Sequence, residues 1–307
     1  MVARMPASHV QLSVVASTFS TDAREAARAA RAAGFTGLQF DAFAPALDLT
    51  ALSQTGRREF RYVLSSNDQQ LAGLRVDVGP KGFGRGADID RLLGQFDKVM
   101  DAAKGLGAPL VSVEVGPLPE PAVAPKPKPR VDPAEAGLII IPTMSDAEPA
   151  PQDTRPAAGP DPALVASVDT ALTELCSRAD RIGVTLALRS ELSSFAALDR
   201  AMAAARCPWF GVDLDPVAIL RDAWPADEIF SRVGALIRHV RARDATVGAD
   251  RRTRPAAIGQ GSTNWDEFLA NLDRAGYRGW LTIDPLELPD RLAGATAGAT
   301  RLKAAAA

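Results

Sequence analysis

The chain has 307 residues, of which 47% are hydrophobic and 23% charged, and a formal net charge of −2. That length accommodates one large domain with a substantial core, or two small ones, and the composition is that of a globular protein rather than a disordered or fibrous one. The near-neutral balance excludes a global electrostatic pull toward nucleic acid or an acidic membrane surface, so any charge-based specificity has to be local.

Short β-like runs alternate with Ala-rich helical patterns along most of the chain. The first strand is expected at "VQLSVV" (Val10–Val15), where Gln11 and Ser13 interrupt what would otherwise resemble a signal peptide's apolar stretch. "TDAREAARAARAAGF" is its helix, with Thr21 or Asp22 as N-cap and Gly34 just past the last turn. "TGLQFD" (Thr36–Asp41) is a second strand, followed by a helical stretch over about Leu49–Gln70. "LAGLRVDV" (Leu71–Val78) is a third, and its helix "DIDRLLGQFDKVMDAAKGLG" stops at Gly105 and Gly107. "PLVSVEVG" (Pro109–Gly116) is a fourth.

A proline-rich interruption then runs from Pro117 to about Pro160, too dense in proline for a packed helix and expected to be extended and flexible. Its segment "GLIIIPTM" suits either a hydrophobic lid or a tolerated surface insertion, and both readings stand. The apolar run "GLIII" (Gly137–Ile141) is far too short to cross a bilayer.

The alternation resumes with a helix over about Pro162–Ile182 leading to "VTLALR", and "SFAALDRAMAAA" leading to "WFGVDLD" (Trp209–Asp215). "AILRDAWPADEIFSRVG" leads to "LIRHVRARD" (Leu236–Asp244), and "NWDEFLANLDRAGY" to "GWLTID" (Gly279–Asp284), before a last Ala-rich helix. The two cysteines, Cys176 and Cys207, are too few for a disulfide framework and read as small buried hydrophobes in a reducing cytosol. With no membrane segment recognised, a cytoplasmic location is expected.

Near-continuous apolar strands, each followed by a helix, imply a parallel sheet covered by helices. Eight such units predict a single (β/α)₈ TIM barrel over residues 1–307, carrying the 117–160 insertion after its fourth strand. A doubly wound open sheet is the alternative, but no glycine fingerprint follows the first strand.

A barrel keeps its chemistry at the C-terminal ends of its strands. The last four strands end in Arg189, Asp215, Arg241 and Asp284. Alternation along a strand turns Thr185, Ala187 and Arg189 inward and Leu186 and Leu188 toward the helices. The same parity groups His239 with Arg241, Asp213 with Asp215, and Thr282 with Asp284.

Several of these segments carry a resemblance. "GVTLALR", "FGVDLDPVAIL", and "IRHVRARDA" followed by "IGQGSTNWDEFLANLDRAGYRGWLTID" resemble strands five to eight of the xylose isomerase-like TIM barrels, with "AAKGLGAPLVSVEVG" matching in the N-terminal half. This superfamily includes sugar phosphate isomerases and epimerases and an endonuclease branch. The resemblance covers the chain apart from the insertion, and it implies a metal site of two Glu, one Asp and one His. Carried over, the strand-five Glu is Arg189, the strand-six Asp is kept as Asp215 with Ala218 at the following His position, the strand-seven His is Arg241, and the strand-eight Glu is shortened to Asp284.

Two arginines against two aspartates sum to zero charge, and guanidinium groups cannot deprotonate to receive a cation. The expectation is therefore no metal and no other cofactor, with a divalent ion held by Asp215, Asp284 and Glu191 as the alternative. Arg189 and Arg241 are expected to neutralise Asp215 and Asp284 in place of the ion.

Other candidates lie at the same rim. "GPKGFGRG" places Lys81 and Arg85 among glycines, where backbone N–H groups and two cations suit a phosphate or carboxylate. "ADRRTRP" supplies Arg251, Arg252 and Arg254. Both loops also read as ordinary solvated loops; together they favour an anionic sugar ligand, while the lack of interleaved aromatics argues against nucleic acid. His239 suits a general base or a satisfied interior histidine, Glu114 with Ser112 beside it suits an acid or base, and His9 is read as a surface residue.

Two functions follow. One is a sugar isomerase or epimerase in which Asp215, Asp284 and Glu114 move protons while Arg189 and Arg241 stabilise an enediolate oxygen. The other is a non-catalytic relative that binds a sugar, sugar phosphate or partner. Oligomeric state leaves no mark in the sequence.

Overall fold

Apolar strand runs separated by capped helices close on one another in the computed structural model, which describes residues 10–79, 81–120, 161–190, 193–224, 226–250 and 252–306. In chain order the first half comprises β1 (Gln11–Val15), α1 (Ala23–Ala32), β2 (Gly37–Asp41), β3 (Phe43–Ala44), β4 (Leu47–Asp48), α2 (Gln54–Ser65), β5 (Gln70–Asp77), α3 (Ile89–Leu106) and β6 (Leu110–Glu114). The second half comprises α4 (Pro162–Ile182), β7 (Thr185–Arg189), α5 (Phe195–Ala204), β8 (Phe210–Leu214), α6 (Pro216–Asp222) and α7 (Ala226–Val233). It continues through β9 (Ile237–Ala242), β10 (Asp244–Val247), β11 (Thr253–Ala256), α8 (Trp265–Arg274), β12 (Trp280–Ile283) and α9 (Arg291–Ala306).

Eight strands form a closed barrel in the order β1-β12-β9-β8-β7-β6-β5-β2. Every pair is parallel, and the seam between first and last strands sets Gln11 opposite Trp280 and Val14 opposite Ile283. The expected TIM barrel is the observed fold. The helix starts follow ordinary capping chemistry: Asp22, rather than Thr21, accepts the N–H groups of Arg24 and Glu25, and Asp161 and Asp215 each cap a helix whose first residue is proline.

Three local expectations change. The helix read over Leu49–Gln70 is shortened to α2, with β5 starting at Gln70. The segment after β8 is two helices, because α6 ends at Ala223, which takes a left-handed conformation (φ 49°) two residues before Pro225. Two short antiparallel hairpins, β3–β4 and β10–β11, extend the loops after β2 and β9. The inserted residues 121–160, "GLIIIPTM" among them, lie outside the described residues, whereas Leu118 at the start of the interruption is buried and its N–H donates to Ser193 Oγ (3.1 Å).

The strands sort their side chains as alternation predicts. Val14, Leu38, Leu74, Val111, Val113, Leu186, Leu188, Val212 and Val240 are fully buried in the hydrophobic core, along with Ala26, Phe96 and Leu172 of the surrounding helices. The barrel interior carries a different set: Ser13, Ser112, Asp213, His239 and Thr282 are buried and polar. Burying polar groups costs free energy unless they bond one another, so this inner set has to be a network.

Candidate active site at the barrel mouth

The inner set is such a network. Ser13 Oγ and Thr282 Oγ1 share a hydrogen bond of 2.6 Å, and Thr282 Oγ1 lies 2.7 Å from His239 Nε2. His239 Nδ1 is 2.6 Å from Asp213 Oδ1, while Ser112 donates to Asp213 Oδ2. A carboxylate can only accept, so Nδ1 carries the proton toward Asp213. Burial pushes the Asp213 carboxyl up, but His239, Ser112 and the more distant Arg241 together hold it below its ordinary value. Both ring nitrogens of His239 are engaged and the residue is wholly buried, which is the geometry of the satisfied interior histidine.

One layer above, toward the strand C-termini, the ionised residues gather. Asp284 Oδ2 accepts from Arg241 Nε (2.9 Å) and Arg75 Nη1 (3.0 Å) and lies 2.7 Å from Arg241 Nη2; its Oδ1 accepts the Leu286 N–H (3.1 Å). Burial raises the Asp284 carboxyl, but Arg241 and Arg75 outweigh it and hold the group well below the usual carboxylate range. Arg75 also grips Asp41 through two of its nitrogens. Asp215 Oδ2 is held by Arg243 through Nε (2.8 Å) and Nη2, and Arg243 Nη1 extends to Glu287 (2.7 Å). Arg189 Nε lies 3.6 Å from Glu114 Oε2, and Glu114 Oε1 accepts the Gly116 N–H (2.8 Å).

Of the two expected guanidinium–carboxylate pairings one is observed and one is exchanged, and the layer is larger than the four residues expected. Arg241 does neutralise Asp284, but it is Arg243 that holds Asp215, while Arg189 lies against Glu114 on the neighbouring strand. The reason is positional. Asp215 has already left β8 to cap α6 through the Val217 N–H, which brings its carboxylate to the loop leaving β9. Arg189 still belongs to β7, which pairs with β6 and ends opposite Asp213. Sequence reasoning missed Asp41, Arg75, Arg243 and Glu287. The strand-end rule applied to the first four strands points to Asp41; Arg75 lies two residues inside the end of β5, and Arg243 and Glu287 lie beyond strands, so these three carry no such signal.

The described cations of the two basic loops do not enter the ion-pair layer. The "GPKGFGRG" loop is packed rather than open: Phe83 is buried edge-on against Phe96, and a side chain at Gly82 (φ +45°) would collide with the Val115 carbonyl. The N–H groups of Gly82, Phe83 and Gly84 are spent on the carbonyls of Gly79, Val115 and Lys81, so they offer no anion cradle. Arg85 turns to Asp161 (2.6 Å) and Lys81 is exposed. Arg252 and Arg254 are exposed at the β10–β11 hairpin, with Arg252 Nε 3.7 Å from Asp250. Arg251, Glu191 and His9 lie outside the described residues.

That hairpin is anchored by buried Asp244, whose carboxylate accepts from the N–H groups of Ala245 (2.9 Å), Gly259 (2.9 Å), Gly261 (3.2 Å) and Thr263 (3.2 Å) and from Trp265 Nε1 (3.0 Å). A side chain at Gly261 would run into this carboxylate, which explains the glycine spacing in "GQGSTNW". A cleft opens beside the anchor, lined by Val217, Arg243, Thr253, Asp284 and Glu287 among others, so the ion-pair layer has one edge facing free space.

A family model described as xylose isomerase-like TIM barrel matches residues 27–305. No curated protein sequence matches. Among solved structures, the D-psicose 3-epimerase of Clostridium cellulolyticum H10, determined with D-tagatose, superposes with a TM-score of 0.68 at 12% identity over 97% of this chain and 99% of that one. The 3-keto-D-glucoside 4-epimerase of E. coli gives 0.65 at 14% identity over 96% and 99%. A xylose isomerase-like TIM barrel protein of Mycobacterium smegmatis in complex with magnesium gives 0.65 at 16% identity over 98% of each chain. At such identities the likeness is one of fold, and the family match rests on the chain's own residues: this chain belongs to the xylose isomerase-like TIM barrel family.

Proposed function

We propose that this chain is a carbohydrate-directed member of its family whose mouth binds a small sugar without a divalent metal. The observation that carries the reading is the state of Asp284, a nearly buried carboxylate gripped on one oxygen by two guanidiniums. Asp215 is likewise taken by Arg243. A divalent ion at either carboxylate would have to displace permanently charged groups, and among the described residues no cluster of three or more His, Cys, Asp or Glu side chains is arranged around one. The residues present do not fit the family's metal.

Charge also bears on the ligand. Arg75, Arg189, Arg241 and Arg243 face Asp41, Glu114, Asp215, Asp284 and Glu287, so the described layer holds one carboxylate more than it has guanidiniums and is not basic. The arginine side chains are each 10–16% exposed, and of the carboxylates Asp41 (35%) and Glu287 (56%) reach solvent while Glu114, Asp215 and Asp284 are nearly buried. Alternating donors and acceptors suit the hydroxyls of a neutral sugar better than a phosphate, which would need excess positive charge.

The full chain should carry no stoichiometric divalent ion on elemental analysis. It should bind neutral ketoses or aldoses in calorimetry equally well with and without a chelator. A stoichiometric ion lost in Asp284→Asn would overturn the reading of the metal, and binding confined to phosphorylated sugars would overturn that of the ligand. A catalytic version is favoured by Glu114, a buried carboxylate beside Arg189 on adjacent strands, which pairs a base with a stabiliser for a developing enediolate. In that case the full chain exchanges the proton next to a ketose carbonyl with deuterated water, and Glu114→Gln abolishes the exchange.

A further inference from the structure

Two thiols that the mouth does not use meet at the opposite end of the barrel. Cys176 sits near the C-terminal end of α4 and Cys207 in the turn that enters β8, so both lie at the N-terminal ends of the strands, remote from Asp284. Cys207 Sγ donates to the Cys176 carbonyl (3.6 Å), and Cys176 Sγ donates to the carbonyl of Ala205 (3.8 Å). Each sulfur is thus held against the other residue's local backbone although 31 positions separate them. Both line one open hollow of about 480 Å³, together with Thr173, Asp180, Arg206 and Pro208. Cys176 is buried and Cys207 half-buried.

We propose that Cys176 and Cys207 are a reactive dithiol that closes to an intramolecular disulfide when a low-molecular-weight disulfide enters this hollow. The exposure difference sets the order. Cys207 is reachable, and its thiolate attacks one sulfur of the incoming R–S–S–R, forming a mixed disulfide and expelling RS⁻. Burial first, and then the neighbouring Cys207, push the Cys176 thiol up to about 12, so Cys176 is a poor first nucleophile but is held beside the sulfur it must resolve. Cys176 then attacks Cys207 Sγ, expels the second RS⁻ and gives up its proton. The two protein thiols lose two electrons and two protons, and the small disulfide becomes two thiols. The bond formed would bracket one whole βα unit, β7 with α5, tying α4 to the turn before β8.

The test uses the full chain, oxidised glutathione, alkylation of remaining thiols and mass spectrometry. The expected product has lost both free thiols, carries no glutathione, and yields a peptide joining Cys176 to Cys207. Its thermal midpoint should rise by roughly 5 °C, from constraint of the unfolded chain. Cys176→Ser should trap glutathione on Cys207, and Cys207→Ser should leave Cys176 unmodified. Two free thiols persisting under excess oxidised glutathione would overturn the proposal, as would a link between two copies of the chain or equal adducts in both variants.

Discussion

Asp284 allows the ion-pair layer to be taken apart by charge. Arg75→Met removes one charge-assisted bond to its Oδ2 and the contact with Asp41, which at 35% exposure is partly screened; the expected cost is about 2 kcal/mol. Arg241→Met removes the Nε bond and the adjacent Nη2 contact on the same oxygen, about 3 kcal/mol. Each single variant leaves one guanidinium on the carboxylate. The double variant leaves a carboxylate whose side chain is 1% exposed with the Leu286 N–H as its remaining described partner. The double should therefore exceed the sum of the singles by about 1–3 kcal/mol. A total of about 6–8 kcal/mol is comparable with the whole stability of a typical protein, so a fourth variant is needed as a control. Adding Asp284→Leu to the double removes the stranded charge and should recover most of the loss. Equilibrium urea unfolding followed by circular dichroism reads all four. Additive singles and double, or a triple variant no more stable than the double, would refute the shared-oxygen account.

The remaining predictions concern acid and the two most constrained loops. The carboxyls of Asp213 and Asp284 are depressed in the folded state, so their stabilisation is present above the unfolded value of about 3.9 and is lost as pH falls below it. Urea midpoints taken as a pH series should drop steeply below about pH 4, and Asp284→Asn should make that drop shallower. Asp244→Ala strands four backbone N–H groups and the Trp265 indole N–H; it should destabilise by about 3–5 kcal/mol and make the β10–β11 hairpin exchange its amides with solvent much faster. Gly82→Ala should cost more than about 1 kcal/mol, because the new methyl meets the Val115 carbonyl in a left-handed backbone, and a thermal midpoint equal to the parent's would contradict that packing.

The architecture was legible because βα periodicity is a local signal repeated eight times, and the barrel is its geometric consequence. The site was legible in composition but not in pairing. Arg189, Arg241, Asp284 and Glu114 announce themselves at strand ends, and strand parity turns His239, Asp213 and Thr282 inward. Which guanidinium takes which carboxylate depends on where a strand stops, as Asp215 shows by capping α6 and meeting Arg243. Arg75 reaches Asp284 across 209 positions of sequence, a contact no local pattern encodes. The "GPKGFGRG" loop misled for a related reason: glycines that suggest an anion cradle serve here to let one backbone lie directly on another.

The Ser13–Thr282 hydrogen bond joins the first barrel strand to the last across 269 positions. A slip of one residue at that seam would turn Thr282 away from the interior and leave His239 Nε2 without its hydroxyl, so the seam tolerates one alignment only. β1 finds β2 close by in sequence, but its partner across the seam, β12, is the last barrel strand to be made. Until then the interior histidine and aspartate have no complete set of partners, and the half-made barrel has two open strand edges. Closing the barrel therefore requires a hydroxyl, a histidine and a carboxylate to fit together in a single register.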